Sequence, residues 1–264
     1  MLPTFFISHG HPGLAAQEDG YTAFLLRLAG SLPKPKAIVL FSAGWESQGQ
    51  KISSAIAPVT LMDEAAKADP FLALNQYPVK GELMLSLHIQ QLLEGEGIGC
   101  ELDDERGLDF CAWGPLSILY PDALIPVVTL SVNPRLTAEE HYRIGAALAP
   151  LREHGVLILG CGGTVYNLDK LDANNPVPAE WAVAFEEWLA EQLETWHLDA
   201  LIRYDERAPH AESAVPLPRH FAPLLLAMGA ADTTRRAKLL HHSFQLGSLS
   251  LCCWMFGGLK LDRK

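Results

Sequence analysis

Two histidines stand two residues apart where an apolar run ends, in Ser8-His9-Gly10-His11-Pro12. Imidazole is a common metal ligand and the usual acid–base group near neutral pH. A non-haem iron or zinc site needs at least three N, O or S ligands and an open position. Glu46, Asp63, Glu64 and Cys161 are the groups that could join the pair. H-x-H alone is a weak signal, and a loop histidine bonded to backbone is the plainer reading of His11. For nucleophilic chemistry there are Ser8, Ser42 and Cys161 at strand ends, none in a G-x-S-x-G elbow. Cys161 lies between glycines, where a tight turn would expose it, although burial as an inert thiol is the ordinary fate of cysteine. Gly160-Cys161-Gly162-Gly163 is a weak phosphate cradle, because it has neither G-x-G-x-x-G nor the Walker lysine.

The elements that must position these residues are apolar runs of strand length alternating with segments of helical period. Strands are predicted over 2–8, 37–43, 125–132 and 156–160, the last three continuously apolar as in strands buried on both faces. Helices are predicted over 21–32, 81–94, 137–151, 178–196 and 217–228, with Thr137 and Glu140 as a capping box. Aromatic residues Trp181, Phe185 and Trp188 form a core stripe. A closing hairpin is predicted from 237–244 and 248–255 around Gln245-Leu246-Gly247. The alternation predicts a single α/β domain over 1–264, a mostly parallel sheet with helices on both faces. In such sheets the crevice lies outside the carboxyl ends of the strands, so loops 8–12, 42–46 and 160–167 should meet around one pocket.

The 264 residues are 49% apolar and 19% charged, which suits a folded core and excludes a disordered chain. No apolar run reaches the roughly 18 residues of a membrane span, and the N-terminal run lacks the basic start of a signal peptide. A net charge of −11 without a Lys/Arg stripe argues against nucleic acid and anionic membrane as partners. Five scattered cysteines without a CxxC pair are expected to be reduced thiols in a cytoplasmic protein. His241 and His242 point to opposite faces of a strand. His88, His141, His154 and His197 read as solvated surface residues, the acidic run 103–105 as a solvated turn, and Arg235-Arg236 as too short for a phosphate patch.

Several strings, in order, carry a resemblance. They are Ser8-His9-Gly10, Leu32-Pro33-Lys34-Pro35-Lys36-Ala37-Ile38-Val39, and Trp113-Gly114-Pro115-Leu116 through Tyr120-Pro121-Asp122-Ala123-Leu124-Ile125-Pro126-Val127-Val128. Then follow Arg219-His220-Phe221-Ala222-Pro223-Leu224-Leu225 with Met228-Gly229-Ala230, and Leu246-Gly247-Ser248-Leu249-Ser250. Nearly end to end, the chain resembles the DOPA-dioxygenase type of class III extradiol aromatic-ring-opening dioxygenases, related to the protocatechuate 4,5-dioxygenase catalytic subunit. The resemblance implies a single α/β domain holding Fe(II), or zinc, on three histidines in S/G-H-G-x-P, S-A-H-W and G-N-x-x-H-N loops. Further histidines in G-x-D-H-x-x-W and E-H-x-x-P-L would serve substrate and protons.

His9 matches the first ligand. The second motif stands as Ser42-Ala43-Gly44-Trp45, with Gly44 at the ligand position, and the third as Gly162-Gly163-Thr164-Val165-Tyr166-Asn167, with Tyr166 there. Phe110 replaces the histidine of the substrate-side motif, Met62 that of an early histidine before Asp-Phe, and His220 alone persists in that group. Glycine offers no side-chain ligand, and a phenol of pKa near ~10 is a poor one. The replacements imply a scaffold whose inherited metal site has been dismantled, with no metal expected. The expected role is a non-catalytic or repurposed pocket protein, or an inactive partner of an intact paralogue. The expected pocket is His9, His11, Trp45, Glu46, Phe110, Cys161 and Tyr166, taking a small aromatic or phenolic ligand, with self-association open. Two readings stand beside it. One is an enzyme with a metal-free or relocated Fe(II) or Zn site using His9, His11, Glu46 and Cys161, with His220 as acid–base group and Tyr166 donating a hydrogen bond. The other is an active dioxygenase on a catechol-like substrate.

Overall fold

A computed structural model describes residues 1–11, 14, 19–62, 76–175 and 177–258. Its strands are β1 (Thr4–Ser8), β2 (Ala37–Glu46), β3 (Gln50–Ser53), β4 (Cys100–Asp103), β5 (Val127–Val132), β6 (Val156–Gly162), β7 (Ala237–Gln245) and β8 (Leu249–Phe256). Among the described residues the helices are α1 (Gly20–Ser31), α2 (Leu83–Gly95), α3 (Phe110–Leu119), α4 (Ala138–Ala147), α5 (Glu180–Glu194), α6 (Leu198–Ile202), α7 (Tyr204–Arg207), α8 (Ala211–Ala214) and α9 (Pro218–Gly229). One eight-stranded sheet runs β4-β3-β5-β2-β6-β1-β8-β7. Its centre, β5-β2-β6-β1, is parallel, while β3–β5, β1–β8 and β7–β8 are antiparallel. None of the helices is long and apolar enough to cross a membrane.

The continuous apolar runs are buried on both faces because alternate side chains serve different cores. Phe5, Ile7, Ile38 and Leu40 pack with Leu25 of α1 and with Trp113 and Leu116 of α3. Phe6 packs instead with Phe185 of α5 and Phe221 of α9, and Val39 and Phe41 pack with Ile144 of α4 and Leu226 of α9. The capping box forms as expected: Thr137 Oγ1 accepts the Glu140 N–H at 3.2 Å and the Thr137 N–H donates to Glu140 Oε2 at 2.7 Å. The closing hairpin is present, its turn made by Leu246 and Gly247 at φ 50° and 76°. His241 lies against Tyr21 and Phe24, and His242 lies 3.8 Å from Glu186 on the other face.

Four expectations need correction. The helix expected over 137–151 stops at Ala147, and a 3-10 turn follows (Ala149–His154), because Pro150 has no N–H to continue the α ladder. Residues 42–46 and 160–162 are strand, not loop: β2 and β6 stay paired through Ser42↔Cys161, and β6 reaches Gly162 opposite Ser8. The glycines of β6 serve close packing. A Cβ at Gly160 or Gly162 would fall on the carbonyl oxygens of Pro223 or His220, so α9 can lie directly on the strand. His141 is buried rather than solvated, its Nε2–H donating to the Asn133 carbonyl at 3.1 Å.

Candidate functional site: a cavity at the strand ends

The carboxyl ends of β1, β2 and β6 open into a cavity of about 630 Å³, which the first turns of α3 and α9 complete. His9 follows β1 and is fixed by its N–H, which donates to the Gly162 carbonyl at 2.9 Å. His220 sits in the first turn of α9, where its carbonyl accepts the Gly163 N–H at 2.8 Å. Tyr166 is held by its N–H to the Ala214 carbonyl at 3.0 Å, and Asn167 by Nδ2–H to the Ser213 carbonyl at 2.9 Å. The three rings form one cluster, with centroids 4.8 Å apart for His9–Tyr166 and 4.3 Å for Tyr166–His220.

Hydrogen bonding fixes the protons of the two imidazoles. His9 Nδ1 lies 2.7 Å from the Gly10 carbonyl, which can only accept, so Nδ1 carries hydrogen. His9 Nε2 is then the acceptor for His220 Nδ1–H at 3.1 Å. Burial favours the neutral form of both rings near pH 7. Burial lowers His9 to about 4, and burial, with help from His9 and the Arg219 cation, lowers His220 to about 2.

Position 44 is equally well defined. A Cβ there would fall onto the Asp109 carboxylate. Asp109 precedes α3 as its N-cap but makes no capping bond. Its carboxylate is taken across the cavity floor, accepting from Ser42 Oγ at 2.7 Å and from Arg106 at 3.0 Å. Arg106 also donates to the Gly44 carbonyl at 3.1 Å and lies 5.4 Å over the Trp45 ring.

The family described as "Catalytic LigB subunit of aromatic ring-opening dioxygenase" matches residues 3–253. The chain belongs to this family. It is 37% identical over 258 residues to a "4,5-DOPA dioxygenase extradiol" of Beta vulgaris, covering 96% of each chain. It is 32% identical over 262 residues to the Escherichia coli (strain K12) protein of the same name, covering 97% of this chain and 95% of that one. The crystal structure of an uncharacterized Escherichia coli K12 protein superposes with a TM-score of 0.83 at 30% identity, covering 97% of this chain and 100% of that one.

Against the family's ligand pattern, the donor set here does not fit a three-histidine metal centre. His9 Nε2 is engaged by His220, Gly44 has no side chain and its space belongs to Asp109, and Tyr166 lies ring-to-ring on both histidines. Among the described residues no group of three or more His, Cys, Asp or Glu is placed to hold a metal ion.

Of the residues singled out from sequence, the structure brings His9, Phe110, Tyr166 and His220 together on the cavity, along with Gly44 and Met62. Cys161, Trp45, Glu46 and His11 are not on its wall. Cys161 is fully buried in β6, its thiol pushed far above the usual range by burial, so it is no nucleophile. Ser8 Oγ accepts the Cys252 N–H at 3.0 Å, Ser42 is spent on Asp109, and Glu46 lies 3.8 Å from Arg219. Asp63 and Glu64 lie outside the described residues. Sequence reasoning did not single out Asp109, Arg219 or Cys111, all of which line the cavity. Arg219 and Asp109 stood inside matching strings, but nothing local told where their side chains turn.

Proposed function

We propose that this chain is a pocket protein on the ring-opening dioxygenase scaffold, binding a small planar aromatic ligand without metal-dependent ring opening. The observation that carries this reading is the Asp109 carboxylate, held by Ser42 and Arg106 in the space a side chain at position 44 would need. Tyr166 supports it by packing on both remaining imidazoles. A cavity of about 630 Å³ suits a one-ring or two-ring ligand, and Phe110, Met62, Leu61 and Leu217 give it an apolar wall.

The test is metal content and oxygen uptake. Protein purified without chelator, then loaded anaerobically with Fe(II), is expected to retain well below one metal per chain and to leave catechol and L-DOPA intact. About one tightly held iron per chain with oxygen consumption on catechol would overturn the reading.

The His9–His220 hydrogen bond favours one further reading, a metal-free site in which His220 works on the ligand with its proton position set by His9. Glu46 and His11 take no direct part in such a site, since neither is on the cavity wall.

A further inference from the structure

The two sides of α1 differ in character. Tyr21, Leu25 and Leu28 are buried in the core, whereas Ala23, Leu26, Arg27 and Gly30 stand on the outer side at helical spacing, with Leu26 58% exposed. The groove between this outer side and the end of α3 is divided by Leu26 and Pro121 into two depressions. The larger, about 520 Å³, lies between Ala23 of α1 and Ile118 of α3, and the smaller is about 350 Å³. A leucine standing beside a depression larger than itself is a knob next to a hole. A two-fold axis can use that arrangement, since each copy then fills the hole of the other. A single exposed leucine needs no explanation, but here the apolar surface continues past Pro121 to Leu124, 70% exposed. Charge follows the same symmetry. Asp19 caps the start of α1, Arg27 lies two turns further on, and both are within electrostatic reach of His241 on β7, which puts them on one flank of the helix.

We infer that the chain forms an isologous dimer through the outer face of α1, with Leu26 of each copy seated in the larger depression of the other and Arg27 paired with Asp19 across the axis. Two antiparallel copies of α1 crossing at Ala23 bring residue 27 of one opposite residue 19 of the other, because both stand four positions from the crossing. The pair therefore forms twice, once on each side of the axis. A net charge of −11 on each copy opposes association, so the surface used must supply its own attraction. Leu26 and the apolar surface around it supply most of the affinity, while the two exposed ion pairs set direction and register. A stable dimer needs about 800 Å² on each copy, more than one face of a 12-residue helix, so the 121–124 turn belongs to the contact as well.

The experiment is sedimentation velocity of the full chain at up to about 100 μM, beside variants each confirmed folded by a cooperative melting transition. The chain should show a reversible dimer, and Leu26→Glu should raise its dissociation constant at least about tenfold. Arg27→Glu should weaken the dimer about threefold or more, and Asp19→Lys combined with Arg27→Glu should recover most of that loss, because reversed charges meet again. Ala23→Cys, on the axis, should give a disulfide-linked dimer under mild oxidation, and adding Leu26→Glu should prevent it. Gly95→Cys, exposed at the far end of α2, is the control and should stay monomeric. A monomer at every concentration overturns the inference. So does a dimer indifferent to L26E, which would be held by another surface. Equal linkage of A23C and G95C marks random collision and also overturns it.

Discussion

Asp109 and His9 show how single residues here are defined by neighbours far off in sequence. Asp109 has the residue type and position of a helix cap, but Ser42 and Arg106 draw its carboxylate away from the α3 N–H groups. His9 is a buried imidazole whose two nitrogens are both committed, to Gly10 and His220. Such a ring resists protonation, and that gives stability a sign against pH. In the unfolded chain His9 takes a proton near 6.5, whereas in the fold it does so only near 4. Its contribution is therefore complete above 6.5 and is lost as pH falls from there towards 4, about 2 kcal/mol between pH 7 and pH 5. His220, lowered further, acts in the same direction. Glu186 opposes them: burial raises its carboxyl, so its contribution is present at low pH and declines as pH rises. Urea midpoints at pH 7 and pH 5 should show the net loss on acidification, and His9→Gln should flatten it. A profile rising towards pH 5 would contradict the buried neutral pair.

Elements meet here by the absence of side chains. α9 rests on β6 so closely that the His220 carbonyl lies where a Cβ of Gly162 would be, and the same contact presents the His220 ring to His9. Gly162→Ala should therefore cost about 2 kcal/mol or more and weaken ligand binding as α9 shifts. Gly30→Ala, in α1 with open space around it, should be neutral or gain up to about 1 kcal/mol. Thermal unfolding of the two variants separates close packing from helix propensity, and similar losses in both would contradict it. The same contact explains what could be read from the chain. The parallel core strands, α1, α4, α5, α9 and the closing hairpin were legible because apolar period and turn residues are local signals. β3 and β4, four residues each, were too short to show a period, and α3 was hidden by Gly114 and Pro115, which its fully buried surroundings tolerate. The glycines of 160–163 looked like a turn because a missing Cβ reads alike for a bend and for close approach. Of the cavity, His9, Phe110, Tyr166 and His220 were legible through the resemblance. The use of Asp109 and Arg219 was not, since Asp109 meets Ser42 across 67 residues and Arg219 meets Glu46 between separate elements.

At the scale of the whole molecule, the sheet places the parallel strands β1, β2 and β6 side by side so that their carboxyl ends share one cavity. The strand that leads into His9, β1, is closed on one side by β6 and on the other by β8, with Thr4 opposite Phe256 and Ile7 opposite Cys253. This pairing governs the timing of folding. β1 is synthesised well before β8 and waits for it before its second edge is covered. Long-range pairing of this kind makes assembly slow. A chain cut after Gly247 should remain protease-sensitive even though every cavity-lining residue is present in it; limited proteolysis showing a resistant core would contradict this. The ribosome thus delivers His9 long before β8, and the nascent protein completes its surroundings only once that strand has emerged.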